Sequence, residues 1–214
     1  MLSAEQSEYA AELLNIAFGQ AAAPLAALMG RFVVLSPPQV SSVRRAQAVG
    51  WLEERFGSAS HVHVVQQAFQ PDLSGEAMLV MLAERGAHAW GLFADPDDGP
   101  SDAEEKDAAL EIGNLLVGAC IGRLAEQLGT SVRYTPPRLA LFDRPLQELD
   151  VKRAPDAELL VIHTRFSVEG TCFESCLFLV LSQESMGWLG QTLDRMLDEL
   201  FADDDSGAEM GMAL

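Results

Sequence analysis

The stretch ELLNIAFG at residues 12–19 recurs as EIGNLLVG at residues 111–118. Glutamate, asparagine and glycine keep the same spacing in both copies, which lie 99 positions apart. The same offset aligns SPP at 36–38 with TPP at 135–137, and the apolar run 78–82 with the apolar run 177–181. An offset that is kept from a helical pattern through a Pro-Pro turn to a strand pattern indicates a duplicated half-domain.

Composition restricts the class of protein. The chain has 214 residues, of which 49% are hydrophobic, so it can form one domain with a sizeable core. Its 32 acidic and 14 basic side chains give a formal charge of −18, which disfavours binding to nucleic acid or to an anionic membrane. We see no apolar run of roughly 20 residues and no signal peptide, and three cysteines fit a reducing compartment. We therefore expect a cytoplasmic protein.

The sequence pattern of each half predicts the same order of elements: helix, strand, short element, hairpin, helix. A capping box opens each motif helix and a glycine ends it: SAEQ at 3–6 with Gly30, and SDAE at 101–104 with Gly129. Pro24 lies inside the first helical pattern, where we expect a kink or a local repair. Strands are predicted at 31–35, 40–43, 61–69, 77–82, 139–142, 159–167 and 174–181, short helices at 47–56 and 84–93, and a last helix after Ser182.

This order predicts an α/β fold of the α+β kind, with an antiparallel sheet and the two motif helices on one side of it. We expect a single domain over residues 1–202, made of two repeats at 3–94 and 101–202 that are related by a pseudo-two-fold axis. Residues 95–100, with two prolines and a glycine, form the predicted linker between the repeats. Residues 203–214 are predicted to be an acidic disordered tail.

The repeated motif places two polar groups on one helical face. Glu12 and Asn15, like Glu111 and Asn114, are three positions apart, so each pair projects from the same side of its helix. A carboxylate can hold a lysine of a partner, and a carboxamide, which both donates and accepts hydrogen bonds, can orient a water molecule. One such pair would be read as an ordinary solvated helix surface. Two pairs at equivalent positions favour a function.

These motifs resemble those of the CheC/CheX-type chemotaxis phosphatases. The resemblance rests on Glu-x-x-Asn-x-x-x-Gly in both halves, on Asp107 four residues before the second motif, and on the Pro-Pro turns. It covers about residues 4 to 200 and includes the fold predicted above, a pseudo-two-fold CheC-like domain. The second copy matches the family pattern more closely. In the first copy, Glu8 replaces the aspartate, and Leu14 and Pro24 stand where the second copy has Gly113 and Arg123.

The resemblance implies an enzyme, a protein phosphatase that hydrolyses the aspartyl phosphate of a CheY-like response-regulator receiver in two-component signalling. It implies that Glu12 and Glu111 anchor on the receiver's active-site lysine, and that Asn15 and Asn114 align a water molecule with the phosphoryl group. The receiver supplies Mg²⁺ and the lysine, so this chain would contribute positioning and no cofactor or metal of its own.

Other interpretations remain open. A CheC-like domain can be a non-catalytic binding module or adaptor that docks a receiver or a flagellar or chemotaxis signalling protein, although such switch domains generally lack the Glu/Asn pairs. Regulation by a CheD-like partner is compatible with either function. His61 and His63 are predicted to share one face of a strand. They could form half of a metal site, or they could be ordinary surface histidines. Cys120, Cys172 and Cys176 are predicted to be core or half-buried thiols.

Overall fold

The computed structural model describes residues 2–30, 32–83, 101–150, 155–168 and 171–210. The helices of these ranges are α1 (Ala4–Met29), α2 (Ala48–Phe56), α3 (Asp102–Gln127) and α4 (Gln183–Met210), with 3-10 turns at Arg45–Gln47 and Leu146–Glu148. The strands are β1 (Val33–Leu35), β2 (Gln39–Arg44), β3 (His61–Pro71), β4 (Gly75–Leu82), β5 (Val132–Tyr134), β6 (Arg138–Pro145), β7 (Glu158–Val168) and β8 (Thr171–Leu181).

All the strands join one eight-stranded antiparallel sheet in the order β1-β7-β8-β4-β3-β5. Strand β2 also pairs with β7, and β6 also pairs with β3. Strands β1, β3 and β4 of the first half correspond to β5, β7 and β8 of the second half. When each strand is exchanged for its counterpart, the order is the same read from the opposite edge. The central pair is β4 with β8, where Leu79 lies opposite Leu177. The predicted α+β class with an antiparallel sheet is confirmed.

The motif helices begin at the predicted capping boxes. The Ser3 hydroxyl accepts from the Gln6 backbone N–H at 3.1 Å, and the Gln6 side chain accepts from the Ser3 N–H at 2.8 Å. Ser101 and Glu104 form the same reciprocal pair at the start of α3. At the far end of α1, Gly30 adopts the left-handed conformation with φ 61°, while the helix itself continues across Pro24 to Met29.

The sheet separates two cores. On one face the motif helices and α4 pack on the strands through a large cluster that includes Leu14, Ile112 and Leu189. On the other face α2 and the second 3-10 turn cover a smaller cluster that includes Leu52 and Leu146. Both motif helices therefore lie on the same side of the sheet, as predicted.

Helix α3 is long and apolar enough to cross a membrane by length and composition alone. In the fold, 56% of its most apolar 18-residue window is buried inside the protein. The apolar face of α3 is a core face, which is sufficient to explain its composition.

The offset of 99 between the halves does not extend to the long hairpins. Val33 of β1 pairs with Val168, and its counterpart Val132 of β5 pairs with Pro71. These two partners are 97 positions apart, so β7 follows β3 at an offset of 97. The second half has lost two residues between its first strands and its hairpin, relative to the first half.

The predicted alignment of residues 78–82 with 177–181 is therefore wrong. Met78 packs on the α2 side of the sheet, whereas Leu177 packs beneath the motif helices. Side chains alternate between the two faces of a strand, so a slip of one residue exchanges the faces. Leu79, which shares the face of Leu177, is its structural counterpart.

The predicted disordered tail at 203–214 is wrong for residues 203–210, because α4 continues to Met210. The stretch is acidic, but it contains no proline, and each residue added to an existing helix gains a backbone hydrogen bond. Residues 211–214, the predicted linker at 95–100 and the predicted short helix at 84–93 lie outside the described residues.

Candidate functional site

The two predicted Glu/Asn pairs lie at the surface, on α1 and α3. Glu12, Asn15, Glu111 and Asn114 are all exposed. The two residues inside each motif are buried and fix the helix to the sheet: Leu13 and Leu14 in α1, and Ile112 and Gly113 in α3. Neither glutamate forms a side-chain hydrogen bond or ion pair with another described residue, so both carboxylates are available to a partner.

Asn114 is attached to the sheet by a buried residue, Gln67 of β3, which is only 3% exposed. The Gln67 Nε2 group donates one hydrogen bond to Asn114 Oδ1 at 3.1 Å and another to the backbone carbonyl of Thr135 at 2.9 Å. Thr135 directly precedes the second Pro-Pro turn. Helix, strand and turn therefore meet at one amide group.

This arrangement fixes which way both amides point. A backbone carbonyl can only accept, so the Gln67 atom that faces Thr135 must be the nitrogen. The Asn114 atom that faces the same nitrogen must then be the oxygen. The opposite end of Gln67, its Oε1 atom, is buried and has no hydrogen-bond partner among the described residues.

At the first site, beside α1, Thr164 of β7 takes the place of Gln67. Thr135 exchanges hydrogen bonds with Ala68, the residue after Gln67: Thr135 N–H donates to Ala68 O, and Ala68 N–H donates to Thr135 Oγ1. Ser36 exchanges the same two bonds with Arg165, the residue after Thr164. The two turns are therefore attached to the sheet at equivalent points.

The two sites differ in how the asparagine is held. The Thr164 hydroxyl donates to the Ser36 carbonyl at 2.9 Å, as Gln67 does to the Thr135 carbonyl. Its short side chain ends there, and Asn15 forms no side-chain hydrogen bond with a described residue. A hydrogen bond from the sheet fixes the asparagine side chain of the second site, and no described residue forms such a bond with the asparagine of the first site.

Each asparagine borders a groove. The first is an open groove of about 680 Å³ between α1, the first Pro-Pro turn and α4, lined by Glu5, Glu8, Tyr9, Ala11, Glu12, Asn15, Pro37, Pro38 and Leu197. The second, of about 280 Å³, lies between α1 and α3 beside Asn114. Pro24 and Arg123, which correspond at the offset of 99, line the second groove together. The first groove is rich in carboxylates, whereas the second is mostly apolar with one arginine.

The histidine pair predicted as a possible half-site for a metal has internal partners. His61 Nδ1 lies 2.9 Å from a carboxylate oxygen of Asp143, and the Asp143 backbone N–H donates to His63 Nδ1 at 3.3 Å. Burial lowers the pKa of His63 to about 4, against the opposite effect of the Asp143 charge. Within the described ranges, no group of three or more His, Cys, Asp or Glu side chains is arranged to hold a metal ion.

Cys120 and Cys176 are buried, and burial raises the pKa of the Cys120 thiol well above its usual value. Both thiols are core groups, as the sequence predicts. The side chain of Cys172 lies outside the described residues.

Sequence reasoning missed Gln67. The strand VHVVQQAFQ at 62–70 is predicted as an alternating hairpin strand, in which two adjacent glutamines give no indication of which one points inward. A polar residue among Val62, Val64, Val65 and Phe69, all of which are buried, is the one available signal. The packing of α3 on β3 decides that Gln67 is the glutamine whose side chain points toward α3.

Comparison with known proteins finds the same fold in flagellar switch proteins. The flagellar motor switch phosphatase FliY of Bacillus subtilis is 24% identical over 164 residues, which are 75% of this chain and 42% of that protein. The crystal structure of Thermotoga maritima FliY has a TM-score of 0.69 at 19% identity, and covers 91% of this chain and 98% of that one.

The chain has the CheC-like fold. The resemblance that the motifs predict is confirmed, although no protein-family model matches the chain. FliM of H. pylori, crystallised in a complex with SpeE, has a TM-score of 0.59 at 10% identity and covers 90% of this chain and 98% of that one. The same fold thus occurs in FliY and in FliM, and the chain spans less than half the length of the curated relative that it matches.

Proposed function

We propose that this CheC-like chain is a phosphatase that hydrolyses the aspartyl phosphate of a CheY-like receiver domain. One observation carries the proposal: both Glu/Asn pairs are exposed at equivalent positions of the two motif helices, on a fold shared with a protein named a flagellar motor switch phosphatase. Idle surface positions would not be expected to retain the same two residue types in both halves.

The chemistry assigned to these residues is positioning. Glu12 and Glu111, whose carboxylates have no ion pair with described residues, would each bind the active-site lysine of a receiver. Asn15 and Asn114 would each hold a water molecule in line with the phosphoryl group. The water oxygen forms a bond to phosphorus while the bond between phosphorus and the aspartyl oxygen breaks, which releases inorganic phosphate and restores the receiver carboxylate.

The catalytic metal of this reaction would come with the substrate. Receiver domains bind Mg²⁺ beside the phosphoaspartate, so the proposal requires no cofactor of this chain. A cytoplasmic location follows from the proposal, because the receiver is a cytoplasmic signalling domain. The active site of the proposed receiver substrate contains a positively charged lysine, which this strongly acidic chain can attract.

A second candidate is a non-catalytic adaptor that binds a receiver or a flagellar or chemotaxis signalling protein. The observation that favours it is the fold shared with FliM, which has been crystallised with SpeE. A CheD-like protein is a further proposed partner and is compatible with either function. The intact Glu/Asn pairs give the phosphatase the stronger support.

Release of inorganic phosphate from purified phosphorylated receivers tests the proposal. The parent protein should accelerate release well above the receiver's own rate, and the Asn15→Ala/Asn114→Ala double variant should not. Retention of the parental rate by the double variant would refute the mechanism. Stoichiometric binding of a receiver with no acceleration by the parent would favour the adaptor.

A further inference from the structure

We propose that Gln67 is a positioning residue that holds the Asn114 amide ready for catalysis, so that the second site is pre-organised and the first is not. The proposal rests on the phosphatase function proposed above. It concerns a residue outside the repeated motif, on a strand rather than on a motif helix.

The surroundings of Gln67 disfavour a glutamine on grounds of stability alone. Its neighbours on the same strand, Val65 and Phe69, are buried apolar residues of the main core. Burying a glutamine there leaves Oε1 without a partner in the part of the chain that the structure describes, and an unsatisfied buried polar atom costs folding free energy. A methionine of similar shape would avoid this cost. A polar side chain kept at such a position calls for an explanation beyond packing.

The hydrogen bond from Gln67 acts on the atom that would orient the water. It occupies one of the two lone-pair positions of Asn114 Oδ1, and the other remains open to a water O–H. The Nδ2 group of the same amide forms no hydrogen bond with a described residue. An amide fixed in this way loses little further rotational freedom when the receiver docks, which is the advantage of a pre-organised donor and acceptor.

The first site lacks the same support for two reasons. The hydroxyl of Thr164, the counterpart of Gln67, contacts Ser36 and the Arg165 carbonyl but does not reach Asn15. In addition, Leu14 is buried beneath α1 where α3 has Gly113, so a bulky side chain separates α1 from the sheet. Glycine at that point lets α3 approach β3, and it brings Asn114 within hydrogen-bond distance of Gln67.

The kinetic test isolates each site. Gln67→Met in an Asn15→Ala background should lower kcat about 10-fold, the lower end of the loss found when an orienting partner of a functional group is removed. The KM for the phosphorylated receiver should stay within about twofold, because Gln67 lies beneath the surface that the receiver contacts. The matched control is Thr164→Val in an Asn114→Ala background, which should change neither parameter.

A second measurement needs no receiver. Nuclear magnetic resonance order parameters of the side-chain NH₂ groups should show Asn114 ordered and Asn15 mobile in the parent protein. Gln67→Met should make Asn114 as mobile as Asn15, and Gln67→Leu serves in its place if the methionine variant does not fold. Equal mobility of the two asparagines in the parent, or an Asn114 unaffected by either variant, would overturn the proposal.

The two measurements separate the two claims. An Asn114 whose order depends on Gln67, in a protein that hydrolyses no phosphorylated receiver, would refute the proposed function and leave the positioning role intact. Hydrolysis that is abolished by the Asn15→Ala/Asn114→Ala double variant but unaffected by Gln67→Met would refute the positioning role and leave the function intact.

Discussion

Gly113 of α3 lies directly against Val65 of β3. A Cβ atom added at Gly113 would lie 2.6 Å from Val65 Cγ1 and 2.9 Å from Val65 Cβ. Such contacts are far shorter than normal packing permits, so glycine is required for the helix to sit at this height above the sheet. Asn114 follows Gly113 and Gln67 follows Val65 by two residues, so the same close approach sets the hydrogen bond between the two amides.

Gly113→Ala should therefore push α3 away from the sheet. We expect a loss of about 1–3 kcal/mol in the free energy of unfolding, the usual cost of overpacking a core. Chemical denaturation measures it. Gly118→Ala is the control in the same helix, because a Cβ there meets nothing within 4 Å, and it should be neutral or stabilise the helix by up to about 1 kcal/mol. Equal stability of the two variants would contradict the close packing described here.

The two asparagines should contribute unequally to the rate. Removing an orienting hydrogen-bonding group typically lowers the rate at its site by about 10²–10³. Because Asn114 is held by Gln67 and Asn15 is not, Asn114→Ala should remove the larger share of total phosphate release. Each single variant is compared with the parent under saturating phosphorylated receiver. A larger loss from Asn15→Ala would reverse the ranking of the two sites.

Glu111 should act mainly in binding. Glu111→Gln removes the charge that would hold the receiver lysine, both before and during the chemical step, so KM should rise while kcat changes little. In an Asn15→Ala background we expect an increase in KM of about 10-fold, equivalent to about 1.4 kcal/mol. Glu199→Gln, an exposed carboxylate on α4, gives the same change in net charge and should leave KM unaffected. A fall in kcat at unchanged KM would assign Glu111 to the chemical step instead.

His63 should make the fold less stable in mild acid. Burial lowers the pKa of His63 from 6.5 to about 4, so between these values the unfolded chain binds a proton that the folded chain does not. The free energy of unfolding should therefore fall as the pH falls through this window, by at most about 3 kcal/mol. Denaturation of the parent and of His63→Gln between pH 4 and 7 measures this slope, which should be shallower in the variant. Parallel slopes would show that other groups control the acid sensitivity.

The groups around His63 work partly against this effect. Asp143 favours the protonated form of His63 and so offsets part of the effect of burial. The positive Lys106 ammonium, which lies 4.9 Å from the centre of the Phe142 ring, does not favour that form; the Phe142 ring itself packs 4.5 Å from the His63 ring. His61→Gln is the control, since it changes the half-exposed neighbour that also contacts Asp143. The slope should change more in His63→Gln than in this control variant.

Local patterns in the sequence were sufficient to predict the two motif helices and the class of fold. Each capping box needs only residues within one helical turn, so Ser3 and Ser101 mark their helices without any knowledge of the rest of the chain. The spacing of Glu12 with Asn15 and of Glu111 with Asn114 likewise fixes a shared helical face. Helical periodicity therefore predicted which candidate residues lie side by side, and they are exposed as the proposed roles require.

The contacts between elements were decided by the tertiary structure alone. A strand pattern does not specify register, so the offset of 97 between β3 and β7 appears only once Val33 is seen to pair with Val168 and Val132 with Pro71. The link from Gln67 to Asn114 joins residues 47 positions apart and depends on the height of α3 above β3. The sequence determined which residues each helix presents, because that depends on neighbours along the chain. Only packing between distant segments decided that one of two equivalent asparagines is held by the sheet.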